Sequence, residues 1–131
     1  ITKVLNPDLP FLKKISSKLY SGLDVEVFNN YFMSPVTIDM TCQMIFNIIL
    51  HKKEGLYQLS SSDQISYYDL AKYFAVVKGY DHNLIKAKNA KNKDIGFEFI
   101  PKYSNLEMFK EKKLFNFIQP SSEKSLQSLF R

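Results

Sequence analysis

The hydrophobic and polar positions of this chain follow two periods, which predict alternating strands and helices. Apolar residues two positions apart predict short strands, and apolar residues three or four apart predict helices. The predicted strands are residues 1–5, 25–28, 35–38, 56–60 and 83–87. The predicted helices are residues 9–21, 40–52, 66–78 and 120–130, with one more helical turn near 104–110. Because strands alternate with helices, we expect an α/β fold. It should be a small mixed lobe of short strands and about four to five helices, and we expect the strands to pair in parallel.

Capping residues support the ends of three predicted helices. Pro10 suits the first turn of the first helix, and we expect Asp39 to be the N-cap of the second. Ser66, followed by Asp69 three positions later, resembles a capping box at the start of the third helix, and Gly79 suits its end. These signals place the helix boundaries more firmly than periodicity does alone.

The second predicted helix contains the most apolar segment of the chain. We expect a single face of it to enter the core, formed by Met40, Met44, Ile45, Ile48 and Ile49. Cys42, the only cysteine, lies within this segment, so we expect a buried structural thiol in a reducing compartment, consistent with a cytoplasmic protein. The apolar run 44–50 is too short to cross a bilayer, and we expect no membrane partner.

Composition narrows the class of protein. With 131 residues, 45% hydrophobic and 24% charged, the chain fits one globular domain. The formal charge of +5 would suit a polyanion, but the densest basic stretch, residues 86–93, has no interleaved aromatic residues. We therefore expect a solvated loop there and no nucleic-acid partner, although a basic nucleic-acid binder stays as a third possibility, testable by salt-dependent oligonucleotide binding.

The sequence lacks the residue patterns of several common catalytic sites. The four glycines are far apart, so no phosphate-binding loop can be formed from them, and no zinc-ligand spacing occurs. His51 and His82 are the only histidines, and we expect both on the solvated surface without a partner nucleophile. The sequence therefore predicts no catalytic residue and no metal site.

Two segments resemble a known family. The stretches "FNNYFMSPVTIDM" (28–40) and "GLYQLSSSDQISYYDLAKYFAVVKGYD" (55–81) resemble the C-terminal substrate-binding part of extended short-chain dehydrogenases, in the NAD-dependent epimerase/dehydratase superfamily. The similarity is greatest to the dTDP-4-dehydrorhamnose reductase-like branch. A third stretch, "PKYSNLEM" (101–108), resembles that branch's Pro-x-Asn-Ser-x-Leu-Asp region but has Tyr103 in place of asparagine and Glu107 in place of aspartate.

The resemblance also bears on Tyr68 and Lys72, which have the Tyr-x-x-x-Lys spacing of the family's catalytic pair. In the family that pair lies in the cofactor domain, whereas the resemblance assigns "SYYDLAK" (66–72) to the C-terminal lobe. Residues four apart are neighbours on any helix. We therefore interpret Tyr68 and Lys72 as a helix-surface pair.

The resemblance implies that residues 1–131 form a single C-terminal substrate-binding lobe. The parent enzyme would be an oxidoreductase or epimerase with an N-terminal Rossmann domain that binds NAD or NADP, and its substrate would be a nucleotide sugar. We expect the sequence, which begins at Ile1 rather than methionine, to be a fragment that lacks that domain. We expect no cofactor and no activity in the chain alone, and a homodimer stays open. The alternative is a non-enzymatic interaction or regulatory module that kept the family shape.

Two predicted loops carry our candidate substrate-binding residues. A lysine can meet diphosphate charge, an amide can hydrogen-bond to sugar hydroxyls, and an aromatic ring can cover a base. The candidates are Asn29, Asn30, Tyr31 and Phe32 in the first loop, and Lys102, Tyr103, Ser104 and Asn105 in the second.

Overall fold

The structure is a computed structural model that describes residues 3–96 and 99–130. Its helices are α1 (Pro10–Tyr20), α2 (Ile38–Leu50), α3 (Tyr67–Val77), α4 (Asn92–Ile95), α5 (Phe109–Phe115) and α6 (Ser122–Leu129), with a 3₁₀ turn at His82–Leu84. Its strands are β1 (Lys3–Leu5), β2 (Val25–Phe28), β3 (Phe32–Met33), β4 (Pro35–Thr37), β5 (Ile65–Ser66) and β6 (Ile85–Lys88). The predicted mixed α/β fold is confirmed, with six helices rather than four or five among the described residues.

The six strands form three small sheets of two strands each. β1 pairs with β4 in parallel, so that Val4 lies opposite Val36, and β2 pairs with β6 in parallel, so that Val27 lies opposite Ala87. β3 and β5 pair antiparallel. The expected parallel pairing is therefore confirmed, and it holds together segments as distant in sequence as β2 and β6.

Two hydrophobic clusters stabilise the fold. The larger one joins α1, α3 and the β2–β6 sheet, and its most buried members include Leu12, Ile15, Leu70, Phe74 and Ile85. The smaller one lies under α2 and is formed by Val36, Met44, Leu59, Met108 and Phe117. Burying side chains of this kind contributes roughly 1.5–3 kcal/mol each, so these clusters set the positions of the loops between them.

The predicted ends of α3 are confirmed. The Ser66 hydroxyl accepts a hydrogen bond from the Asp69 amide (3.0 Å) and donates one to the Asp69 carboxylate (2.6 Å). Gly79 has a φ of 72°, a left-handed conformation that glycine adopts without steric cost. The chain therefore leaves α3 where the sequence indicates.

The predicted cap of α2 is wrong. The helix begins at Ile38, and the N-cap is Thr37, whose side-chain oxygen accepts from the Met40 amide at 3.1 Å. Asp39 lies inside the first turn instead. Thr37 ends β4 in an extended conformation, so the chain passes from strand to helix without the extra residues that the sequence pattern suggested.

The predicted strand at residues 56–60 is also wrong, since this fully described segment forms no strand. Two of its backbone amides donate hydrogen bonds to side chains at or next to α5. Glu111 accepts from the Gln58 amide (2.6 Å), and the Met108 sulfur accepts from the Ser60 amide (3.3 Å). Glu111 is buried at 2% exposure. Because these amides already have partners, no neighbouring strand is needed to satisfy them.

The orientation of α2 differs from the prediction as well. Met44 faces the core, and Met40 and Ile48 pack against the same cluster as predicted, but Ile45 and Ile49 are 50% and 68% exposed. Cys42 is exposed too, so the buried thiol that we expected is wrong. The whole apolar segment could not enter the core because only one side of a helix packs against a given layer.

Other boundaries differ by a few residues. The predicted turn at 29–34 contains β3, the strand predicted over 83–87 begins at Ile85, and the helical turn expected near 104–110 is α5, which begins at Phe109. The lysine-rich stretch 86–93 is not one loop, because it contains parts of β6 and α4. Residues 1–2, part of the first predicted strand, lie outside the described residues. His51 and His82 are exposed, as expected.

Candidate functional site

The first candidate loop follows β2 and is attached to the segment after β6. The Asn29 amide donates to the Lys88 carbonyl at 3.0 Å, which continues the strand pairing. The side chain of Asn30 donates to the Ala90 carbonyl (3.1 Å) and accepts from the Ala90 amide (2.6 Å). Asn30 therefore uses both ends of its amide to fix the loop.

Two stacked tyrosines lie at the end of this loop. The rings of Tyr31 and Tyr67 are parallel within 4°, with centroids 5.2 Å apart, and Phe11 meets the ring of Tyr67 edge-on at 5.3 Å. Burial, and then the neighbouring Tyr31, raise the pKa of Tyr67 above its usual value of 10.0. The Tyr67 hydroxyl therefore keeps its proton to a higher pH than an ordinary tyrosine does.

The second candidate loop is held by Gln64. The side-chain oxygen of Gln64 accepts from the amide (2.8 Å) and hydroxyl (3.2 Å) of Ser104, and its nitrogen donates to the Lys102 carbonyl (3.0 Å). The Asn105 side chain donates to the Ser62 carbonyl at 3.4 Å. Sequence reasoning missed Gln64 because a glutamine in a polar run carries no pattern that marks it as a clamp.

The two loops meet at a cleft of about 240 Å³, which we call the loop cleft. It is lined by Lys3, Tyr31, Phe32, Met33, Ser34, Tyr67 and Ser104. Of the eight candidate residues, the structure brings three to this cleft: Tyr31, Phe32 and Ser104. The other five, Asn29, Asn30, Lys102, Tyr103 and Asn105, do not line it.

A larger cleft of about 490 Å³ lies between α1 and β2, and we call it the α1–β2 cleft. Phe11, Lys14 and Lys18 reach it from α1, Asp24 and Val25–Phe28 line the other side, and Tyr67 also lines it. Sequence reasoning missed this cleft, because α1 and β2 were interpreted only as core elements. The available signal was the spacing of Phe11, Lys14 and Lys18, which places them on one side of a helix.

The α1–β2 cleft carries charges of both signs. Lys14 and Lys18 are exposed on its helical side, and Asp24 and Glu26 lie on its strand side. Glu26 pairs with Lys88 at 3.2 Å, and Asp24 with Lys86 at 3.8 Å. Both carboxylates therefore have cationic partners outside the cleft, and Lys14 and Lys18 are the cations on its helical side.

The Tyr68 and Lys72 pair has an ordinary helical geometry. The Lys72 ammonium nitrogen lies 4.9 Å from the centre of the Tyr68 ring, a cation–π contact between neighbours on α3. Neither residue lines either of the two clefts described above. Within residues 3–96 and 99–130, no group of three acidic, histidine or cysteine side chains could hold a metal ion, and no helix is long and apolar enough to cross a membrane.

Solved structures with a similar fold include a dTDP-glucose 4,6-dehydratase and a dTDP-4-dehydrorhamnose reductase. The chain superposes on dTDP-glucose 4,6-dehydratase from Bacillus anthracis in complex with NAD with a TM-score of 0.70, at 12% identity, over 98% of this chain and 41% of that one. It superposes on dTDP-4-dehydrorhamnose reductase from the same organism in complex with NADP with a TM-score of 0.70, at 22% identity, over 90% of this chain and 41% of that one.

The chain has the fold of part of these enzymes. A third similar structure, MoeE5 in complex with UDP-glucuronic acid and NAD, has a TM-score of 0.69 at 11% identity, over 98% of this chain and 44% of that one. The fold resemblance inferred from the sequence is therefore confirmed. The chain spans about two fifths of the length of these structures. No family model matches the sequence, and no curated protein matches it.

Proposed function

We propose that residues 1–131 are the substrate-binding lobe of an NAD(P)-dependent oxidoreductase or epimerase that acts on a nucleotide sugar. The supporting observation is that 98% of this chain follows the fold of an enzyme solved with UDP-glucuronic acid and NAD, while covering only 44% of it. A lobe of that extent binds and orients a substrate, and the rest of the parent enzyme supplies the cofactor and the hydride transfer.

The proposed binding site combines the α1–β2 cleft and the loop cleft, which share Tyr67 as a wall. The larger volume, about 490 Å³, is within the 300–1,000 Å³ range of ligand sites. Lys14 and Lys18 are placed to meet a diphosphate, and the rings of Phe11 and Tyr67 offer an apolar surface to a base or sugar. One nucleotide sugar can then extend from one cleft into the other.

The candidate loops keep a place in this proposal. Tyr31, Phe32 and Ser104 would contact the sugar in the loop cleft, where the Ser104 hydroxyl is the polar group of the second loop. Asn29, Lys102, Tyr103 and Asn105 would contribute from the rim of the site. Asn30 would act indirectly, by holding Tyr31 in position through its two hydrogen bonds to Ala90.

Calorimetric titration of the chain with UDP-glucuronic acid and with dTDP-glucose tests this proposal. We expect the double variant Lys14→Gln/Lys18→Gln to bind at least ~10-fold more weakly, because both cations that face the α1–β2 cleft are removed. Lys13→Gln is the matched control, since Lys13 is on the same helix but pairs with Asp8 outside the cleft. Binding that is absent at about 1 mM ligand, or equally weakened by Lys13→Gln, would contradict the proposal.

A further inference from the structure

The segment that carries the second candidate loop is held by side chains rather than by strand pairing. Residues 101–107, all of which the structure describes, form neither a helix nor a strand. Gln64 bonds to Ser104, and Leu106, two positions later, uses both of its backbone groups. The Leu106 amide donates to the Ser60 hydroxyl at 3.0 Å, and the Leu106 carbonyl accepts from the side chain of Gln119 at 3.2 Å. Gln119 is therefore one of the side chains that fix the course of this segment.

The side-chain nitrogen of Gln119 joins three carbonyl groups. It donates to the Ser60 carbonyl oxygen at 3.1 Å and to the Ser61 carbonyl oxygen at 3.0 Å, in addition to that of Leu106. An amide nitrogen has two protons, so the three acceptors share them. Ser60 and Ser61 are fully buried, so water cannot easily replace this donor, and a buried carbonyl without a donor is costly. Gln119 therefore holds Leu106 against residues 60 and 61.

The start of α6 fixes the position of Gln119. The carbonyl of the next residue, Pro120, accepts from the Ser62 amide at 2.9 Å. The Ser122 amide donates to the Asp63 carboxylate at 2.6 Å, and the Ser122 hydroxyl donates to the Asp63 carbonyl at 3.0 Å. The backbone beside Gln119 is therefore attached to residues 62 and 63, and its side chain reaches residues 60 and 61 from a fixed position.

The same buried segment meets the loop cleft. Ser34 lines that cleft, and its hydroxyl donates to the Asp63 carbonyl at 2.7 Å and lies 2.9 Å from the Ser60 hydroxyl. Ser104 lines the cleft from the second loop. Gln119 itself lines neither the loop cleft nor the α1–β2 cleft. It can therefore affect a ligand there only through the residues that it holds.

We propose that Gln119 is a positioning residue for the loop cleft, because by holding Leu106 against residues 60 and 61 it keeps Ser104 at the wall of the cleft. This inference rests on the proposed function, since it concerns the part of the site where the sugar would be bound. A nucleoside diphosphate without a sugar has no group to place in the loop cleft. Removing the Gln119 donor should therefore weaken binding of the sugar part of the ligand and leave binding of the nucleotide part unchanged.

Amide hydrogen exchange of the ligand-free chain, followed by NMR, tests whether Gln119 holds the segment. Gln119→Met keeps the length of the side chain and removes its donor, so the amides of Ser104 and Leu106 should exchange about 10-fold faster, while those of α3 stay unchanged. Gln127→Met is the matched control, since Gln127 lies in α6 and donates only to the exposed Glu123, at 3.2 Å. It should leave exchange at both amides unchanged. Circular dichroism melting curves show that both variants are folded.

Calorimetric titration separates positioning of the cleft from a general loss of stability. The ligands are UDP-glucuronic acid with UDP as its sugar-free counterpart, and dTDP-glucose with dTDP. We expect Gln119→Met to bind the nucleotide sugar about 10-fold more weakly than the parent does, and to bind the matching nucleoside diphosphate with unchanged affinity. A purely structural role would lower both affinities by the same factor or leave both unchanged.

Three outcomes would overturn the inference. One is exchange of the Ser104 and Leu106 amides that is no faster in Gln119→Met than in the parent. Another is a nucleotide sugar and its nucleoside diphosphate that Gln119→Met weakens equally or not at all. The third is a parent chain that binds neither nucleotide sugar, which contradicts the proposed function as well. If the parent does bind a nucleotide sugar, either of the first two outcomes contradicts the role of Gln119 alone.

Discussion

The start of α2 allows a sharp test, because sequence and structure assign its cap to different residues. In the structure the Thr37 hydroxyl accepts from the Met40 amide at 3.1 Å, and Thr37 is buried at 7% exposure. Thr37→Val keeps the shape of the side chain and removes the acceptor, which leaves the Met40 amide without that partner. Loss of an N-cap hydrogen bond costs about 1 kcal/mol of unfolding free energy, within a range of about 0.5–2.

The comparison is Asp39→Ala. Asp39 makes no cap contact in the structure, so its removal costs only the interaction of an exposed carboxylate with the helix dipole, about 0.3–1 kcal/mol and less in salt. Thr37→Ser is a second control: it keeps the acceptor and loses a buried methyl group. If Thr37 is the cap, raising the salt concentration should shrink the effect of Asp39→Ala and leave that of Thr37→Val unchanged.

Urea unfolding followed by far-ultraviolet circular dichroism measures all three variants, provided that the slope against urea is constant across them. We expect Thr37→Val to lower the unfolding free energy more than Asp39→Ala does in about 0.5 M salt. An Asp39→Ala effect of ~1 kcal/mol that persists in salt, beside a negligible Thr37→Val effect, would refute this account and restore Asp39 as the cap.

Two other predictions concern the candidate site. Burial raises the pKa of Tyr67, so the folded state keeps the phenolic proton to a higher pH than the unfolded state does. The contribution of this proton to the unfolding free energy is complete below the usual pKa of 10.0 and is lost as pH rises through the higher folded-state pKa. Urea unfolding above about pH 10 should therefore show a shallower loss of stability in Tyr67→Phe than in the parent, while the exposed control Tyr20→Phe follows the parent. Asn30→Ala should cost about 2 kcal/mol, because both hydrogen bonds to Ala90 are lost, and Asn30→Asp, which keeps the acceptor, should cost less. An Asn30→Ala variant as stable as the parent would show that this clamp is weak.

The candidate site was only partly accessible to sequence reasoning. Tyr31, Phe32 and Ser104 could be proposed from their loops, and the structure does bring them to one cleft. The α1–β2 cleft could not be predicted from the sequence, because it is a gap between two packed elements. Its position depends on how α1 and β2 pack against Tyr67 and the larger core cluster. Gln64 was missed for the same reason, since its role depends on a loop 40 residues away.

The sequence by itself determined the elements whose signals are local: α1 after Pro10, α3 between its Ser66 cap and Gly79, and the α/β alternation. Periodicity and capping act within a few residues, so they can be recognised along the chain. Only the tertiary structure decided which side of α2 enters the core and where the clefts lie. It also decided that residues 56–60 form hydrogen bonds with Glu111 and Met108 rather than with a neighbouring strand. Those outcomes depend on contacts between residues that are distant in sequence, and such contacts are fixed by how whole elements pack together.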